Sequence, residues 1–187
     1  MKKSRFLEKR LKKNLVYEGK SVNFRVDDIQ LPNSKRAVRE FMDHPGAVAV
    51  LPVDQDGRLV FVSQYRYPVG KETLEVPAGK LNGKNDDLLL RVRAELREET
   101  GYTAAKIEHL LDFWPTPAFS NEILRIYLAT GLKPGKKQPD EDEFLATRKL
   151  RPEEALRMVR KGRIKDSKTI IALFYYELFI KQRKNRF

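Results

Sequence analysis

Residues 86–101 limit the possible folds of this chain more than any other stretch. They read as one amphipathic helix over 86–100, with Asn85 as the expected N-cap, Asp86 and Asp87 in the first turn, and Gly101 as the C-terminal stop. At about 100° per residue, Leu88, Leu89, Val92 and Leu96 gather into an apolar stripe that must lie on a core. Glu95, Glu98 and Glu99 fall on the adjoining edge, where like charges at helical spacing repel by a few tenths of a kcal/mol per pair. A solvated acidic face usually interleaves lysines four residues on. Here Thr100, Gly101 and Tyr102 follow instead. A hard divalent cation held by oxygen ligands is the simplest way to neutralise such an edge.

The flanks of this helix are mostly strand. Val22, Phe24, Val26, Ile29 and Leu31 alternate as in a strand with a break near Asp27-Asp28. Residues 47–53 and 59–63 are apolar β-rich runs joined by Asp54-Gln55-Asp56-Gly57, which predicts a hairpin. Further strands are expected near 73–77, 106–114, 122–130 and 143–149. A polar loop is expected over 133–142, and two more helices near 152–161 and 167–182. Strands mixed with flanking helices predict an α+β fold, an α/β/α sandwich with a mixed sheet between helices and an N-terminal β-strand extension. The expected organisation is a basic tail and strand extension over 1–40 and a main domain over 41–187.

Composition excludes several chemistries. The chain has no cysteine, so disulfides, thiolate zinc sites and cysteine nucleophiles are ruled out, and a reducing, cytoplasmic setting is expected. His44 and His109 are the only histidines; they cannot form a multi-histidine metal cage and read as structural or surface groups. No apolar run approaches the roughly 20 residues a membrane-spanning helix needs, so no membrane partner is expected. The net charge of +12 invites a nucleic-acid reading. Seven of the 38 basic residues lie in residues 1–14 and four in 181–187, against a single acid, so the body between them is nearly neutral. The excess reads as solubilising ends with weak, nonspecific attraction for polyanions.

Around the acidic helix the chain resembles the Nudix hydrolase family. Gly79-Lys80-Leu81-Asn82-Gly83-Lys84-Asn85-Asp86 corresponds to the first half of that family's box, and Ala94-Glu95-Leu96-Arg97-Glu98-Glu99-Thr100-Gly101-Tyr102 to the second. Gln64-Tyr65-Arg66, Leu74-Glu75-Val76-Pro77-Ala78, Pro115 to Glu122, Asp140-Glu141-Asp142-Glu143-Phe144 and Ile164-Lys165-Asp166-Ser167-Lys168-Thr169 look like its ADP-ribose pyrophosphatase branch. Two positions depart from the box. Ala94 stands where the family has an arginine, and one extra residue in the first half brings Asp86 to the position of a glutamate. Arg91 projects between Glu98 and Glu95 on the helical wheel and is the expected substitute for the missing arginine. Charge reversal there should then harm metal binding far more than reversal at Arg93, which projects elsewhere.

The resemblance implies hydrolysis of the pyrophosphate bond of a nucleoside diphosphate sugar, with ADP-ribose giving AMP and ribose 5-phosphate as the first expectation. GDP-mannose and other nucleotide sugars are alternatives, as is a nucleotide- or RNA-binding regulator that has lost catalysis. It implies Mg2+, with Mn2+ as a substitute, held by Glu95, Glu98, Glu99 and the carbonyl of Ala78. Glu98 is also expected to act in catalysis, and Glu141 or Glu143 to serve as general base. Arg66, Phe119 and Glu122 are expected to position substrate. The resemblance further implies a homodimer in which N-terminal strands of one subunit complete the partner's site.

Overall fold

The computed structural model describes residues 4–83, 85–138 and 143–182. The chain divides into two units, residues 1–46 with 114–123 and residues 47–113 with 124–187. Among the described residues, no helix is long and apolar enough to cross a membrane.

The first unit is a four-stranded antiparallel sheet of β1 (Lys9–Lys12), β2 (Leu15–Glu18), β3 (Asn23–Gln30) and β4 (Arg36–Asp43). β4 pairs with β3 along its whole length, from Asn23 opposite Asp43 to Gln30 opposite Arg36. β1 and β2 share the other edge of β3, end to end. The break expected at Asp27-Asp28 therefore lies in the partner strand and not in β3. Asn14, between β1 and β2, donates its backbone N–H to Asp27 Oδ1 at 3.0 Å and its side-chain amide to the Val26 carbonyl at 3.0 Å. Asp27 is buried, and Arg25 pairs with it at 3.2 Å. Lys9–Lys12, within the expected basic tail, is strand. Residues 114–123 join this unit by a parallel bridge, Met42 to Ser120.

The second unit holds two sheets. In one the order is β8 (Ala78–Lys80), β5 (Ala47–Pro52), β10 (Leu124–Pro134), β9 (Tyr102–Phe113), with β10 parallel to β5 and its other pairings antiparallel. In the other, β6 (Leu59–Arg66) lies between β11 (Ala146–Leu150) and β7 (Lys71–Glu75). The expected hairpin at 54–57 is thus only local. Val53 bridges Leu59, and Asp54 and Arg58 close the turn, but β5 and β6 then part into different sheets.

All six residues of β5 are buried, which explains why its sequence is a continuous apolar run and not an alternating one. Ala49 and Leu51 pack in one core with Leu59, Phe61 and residues of α3 (Ser167–Tyr175). Val48 and Val50 point the other way, into a second core with Val92 and Leu96 of α1 (Leu88–Thr100). Helices thus cover both faces of this mixed sheet, as the α+β reading requires. α2 (Pro152–Arg160) packs with α3. The last predicted helix is α-helical only to Tyr175 and widens into a π-turn over Tyr176–Lys181.

Candidate active site

α1 begins two residues later than expected. Asp87, not Asn85, is the N-cap, and its carboxylate accepts from Leu89 N–H at 2.9 Å and Leu90 N–H at 3.1 Å. Gly101, at φ 77°, ends the helix in the left-handed conformation that glycine adopts without strain. Val92 and Leu96 are fully buried, whereas Leu89 is 49% exposed and stands outside the apolar stripe assigned to it.

The acidic edge turns into the protein. Glu95 and Glu99 are only 4% and 2% exposed, while Glu98 is half-buried. Arg91 Nη2 pairs with Glu95 Oε1 at 2.5 Å, one turn back along α1. The carboxylate of Glu95 occupies the space a side chain at residue 79 would need; a Cβ built on Gly79 would fall inside it. Glycine here permits the β8 backbone to lie directly on the acid. Beside it, Ala78 N–H donates to Glu99 Oε2 at 3.3 Å. Helix and strand thus approach each other through two carboxylates.

These surroundings disfavour charge on Glu99. Burial, then the negative charges of Glu95 and Glu143, push its carboxyl up to about 8, against weaker opposing pulls from Ala78 N–H and Lys168. Glu143, half-buried just before β11, therefore belongs electrostatically to this cluster. Glu141, with Asp140 and Asp142, lies outside the described residues. Among the described residues, no three acidic or histidine side chains are already gathered as a metal cage. The donor chemistry nonetheless suits a hard cation: oxygen ligands only, buried, with like charges that a divalent ion would relieve.

A second charged network adjoins this cluster, and sequence reasoning missed most of it. Glu75, 2% exposed, accepts two hydrogen bonds from Arg66, from Nε at 2.9 Å and Nη2 at 2.7 Å. It also accepts from Thr73 Oγ1 at 2.6 Å and Lys168 Nζ at 2.5 Å. Burial would raise the Glu75 carboxyl, but Arg66, Lys168 and Thr73 outweigh it and hold it at about 2. Lys168 also binds Asp166 at 2.9 Å, and Asp166 caps α3 through Thr169 N–H at 3.0 Å. Arg66, expected to position substrate, thus has two of its nitrogens engaged by Glu75, although its side chain remains 42% exposed. The signals were in sequence, in the Leu74 to Ala78 and Asp166 to Thr169 segments, but nothing local says that residues 75 and 168 meet.

Arg66, Lys71, Arg163 and Lys165 line a groove of 540 Å³ with Glu75 and Lys168 in its wall. A second, of 460 Å³, runs between Tyr65 and Phe144. Phe119 and Glu122 belong to the first unit. Phe119 is 54% exposed, and Glu122 lies 3.8 Å from His44. His44 is largely buried and also closes a local turn, its ring nitrogen accepting from Gly46 N–H at 3.1 Å.

The family model for the NUDIX domain matches residues 42–174. A "Methanol dehydrogenase activator" of Bacillus methanolicus is 42% identical over 175 residues, covering 92% of this chain and 94% of that protein. An "ADP-ribose pyrophosphatase" of Bacillus subtilis (strain 168) is 39% identical over 173 residues, covering 91% and 93%. Among solved structures, one titled "Crystal structure of ADP compounds hydrolase" superposes with a TM-score of 0.83 at 20% identity, covering 97% of this chain and 98% of that one, which supports the fold.

Proposed function

The chain belongs to the Nudix family, and on that premise we propose that it hydrolyses the pyrophosphate bond of a nucleoside diphosphate sugar, with ADP-ribose as first substrate and AMP and ribose 5-phosphate as products. The observation that carries this reading is the buried acidic edge of α1 folded against Ala78 and Gly79. A diphosphate resists attack because its oxygens repel an incoming anion. Mg2+, or Mn2+ in its place, would cancel that charge and acidify a bound water. Glu95, Glu98, Glu99 and the Ala78 carbonyl would hold the ion.

The chain's own groups divide the remaining work. Arg91 fixes the Glu95 carboxylate and takes the part of the arginine that Ala94 replaces. Glu98 orients or completes the metal shell. Glu143 or Glu141 receives the proton of the attacking water. For Glu143, the electrostatic coupling to Glu99 supports this role. Arg66 lies in the wall of the basic groove, where a phosphate would meet it together with Lys71 and Arg163. Phe119, exposed and aromatic, and Glu122 supply base and ribose contacts. We further propose a homodimer formed through the first unit, whose β1 and β2 are exposed along their length and carry Leu11, Leu15, Val16 and Tyr17 at the surface.

A second reading is favoured by the 42% identity to the methanol dehydrogenase activator. In it, the chain's physiological effect is the activation of a dehydrogenase. Incubation with Mg2+ and a panel of ADP-ribose, ADP-glucose and GDP-mannose tests the first reading. AMP from ADP-ribose with the highest kcat/KM, abolished by EDTA, is the expected result. No cleavage of any nucleotide sugar overturns it, and stimulation of a dehydrogenase without such cleavage would establish the second reading.

A further inference from the structure

The end of β10 and the connection after it carry three lysines, Lys133 within the strand and Lys136 and Lys137 beyond it, and the structure treats them differently. Lys133 and Lys136 are exposed; Lys137 is half-buried. Its backbone is fixed to the C-terminal end of α1. Gly135 N–H donates to the Gly101 carbonyl at 2.7 Å, and Gln138 N–H to the Glu98 carbonyl at 3.2 Å. The approach is so close that a Cβ on Gly101 would stand 3.1 Å from the Gly135 carbonyl oxygen and 3.2 Å from Lys137 N. Residues 135–138 therefore move with the helix that carries the acids.

From that anchored position the Lys137 side chain reaches eight residues ahead and donates from Nζ to the Leu145 carbonyl at 2.7 Å. This is a charge-assisted bond, stronger than a neutral one. It closes the base of the acidic segment, with Glu143 two residues before the accepting carbonyl. Burial prevails and lowers the proton affinity of the ammonium, against smaller opposing pulls from Glu99 and Glu143, so the cation stands within the field of both acids.

We propose that Lys137 is a positioning residue that holds Glu143 against the α1 carboxylates by tying both ends of the acidic segment to the end of that helix. The proposal rests on the reading of this site as a hydrolase centre. Fixing a catalytic group in its productive geometry beforehand removes the entropic cost of finding that geometry at each turnover.

The test compares Lys137→Met and Lys137→Arg with the unaltered chain, using ADP-ribose turnover and amide hydrogen exchange of the metal-free protein. In Lys137→Met, kcat should fall about tenfold or more while KM changes by less than about threefold, because the groups that bind substrate are untouched. Lys137→Arg, which keeps the donor and the charge, should recover most of the loss. Exchange at residues 143–146 should quicken in Lys137→Met, with the amides of Val92 to Leu96 unchanged. A kcat within about twofold of the unaltered chain, or unchanged exchange at 143–146, overturns the proposal. So does a fall of kcat accompanied by faster exchange throughout α1, which would mark general loosening. Should the unaltered chain hydrolyse nothing, the functional reading fails, while the exchange measurement still decides whether Lys137 ties the segment.

Discussion

Arg91 and Glu95 meet at 2.5 Å across one turn of α1, with the Glu95 side chain 6% and the Arg91 side chain 26% exposed. The pair fixes the orientation of an acid that also fills the space beside Gly79. Arg93, two residues on, bonds instead to the Ala104 carbonyl at 3.3 Å on an exposed part of the helix. Arg91→Glu should therefore weaken Mg2+ binding at least about tenfold relative to Arg93→Glu, the usual scale for losing a group that orients a ligand. Thermal stabilisation by Mg2+, titrated for both variants, measures this. Equal affinities would show that Arg91 has no orienting role.

Gly79 offers a sharper perturbation from the opposite side. Alanine there must displace the Glu95 carboxylate, since the added methyl and the acid claim the same volume. A shift of about 1 Å in a catalytic group typically costs on the order of 10²-fold in rate. Gly79→Ala should thus lose turnover by about that factor and retain cooperative unfolding. Full activity would mean that Glu95 moves aside without consequence and holds no reacting group.

How much of this was legible in sequence depended on whether the signal was local. β5, β6, β10 and α1 bury apolar runs or stripes, and their positions follow from periodicity. β1 and β4 do not: Lys9-Arg10-Leu11-Lys12 is exposed along its whole length, and Arg36–Asp43 is half exposed with no residue fully buried. They are strands because β3 offers hydrogen-bonding edges, a tertiary cause that no hydrophobic pattern reports. The same holds at the site. Glu95 lies within about one helical turn of Glu98 and Glu99, with Arg91 one turn before it, so the acids and the Arg91–Glu95 pair could be grouped from spacing alone. Glu75 and Lys168 are 93 residues apart, so their bond, and with it the engagement of Arg66, needed the folded chain. Asp87 displaced Asn85 as N-cap because only the geometry shows which side chain reaches two free amides.

Glu75 should be costly to neutralise. Glu75→Gln leaves Lys168, which is 10% exposed, and Arg66 facing an amide in place of a carboxylate. Breaking a buried pair costs about 3–5 kcal/mol, and the partial exposure of Arg66 places this one near about 3 kcal/mol. Urea unfolding at neutral pH should show that loss, and Glu75→Gln with Lys168→Met should regain part of it by removing the stranded ammonium. The sign with pH is the ordinary one for a carboxylate held at about 2 against a reference of 4.5: its stabilisation is complete above 4.5 and lost as pH falls towards 2. A double variant no more stable than the single one would show that the two residues are not energetically coupled.

Glu99 should show the opposite sign. Its carboxyl, pushed up to about 8 from a reference of 4.5, keeps its proton in the native state over a range in which the unfolded chain has released it. The native state then binds more protons than the unfolded one, so metal-free stability falls as pH rises from 4.5 to 8 and levels off above that. Glu99→Gln removes the titrating group and should flatten this part of the Tm profile, raising Tm at pH 8 relative to the unaltered chain. A divalent cation binding at this cluster must displace the proton, so Mg2+ binding near pH 7 should release close to one proton. Calorimetric titration in two buffers of different ionisation enthalpy measures that release directly. Tm profiles that run parallel for the two proteins, together with no proton release on adding Mg2+, would mean that Glu99 is ionised in the folded chain and that burial against Ala78 does not govern its charge.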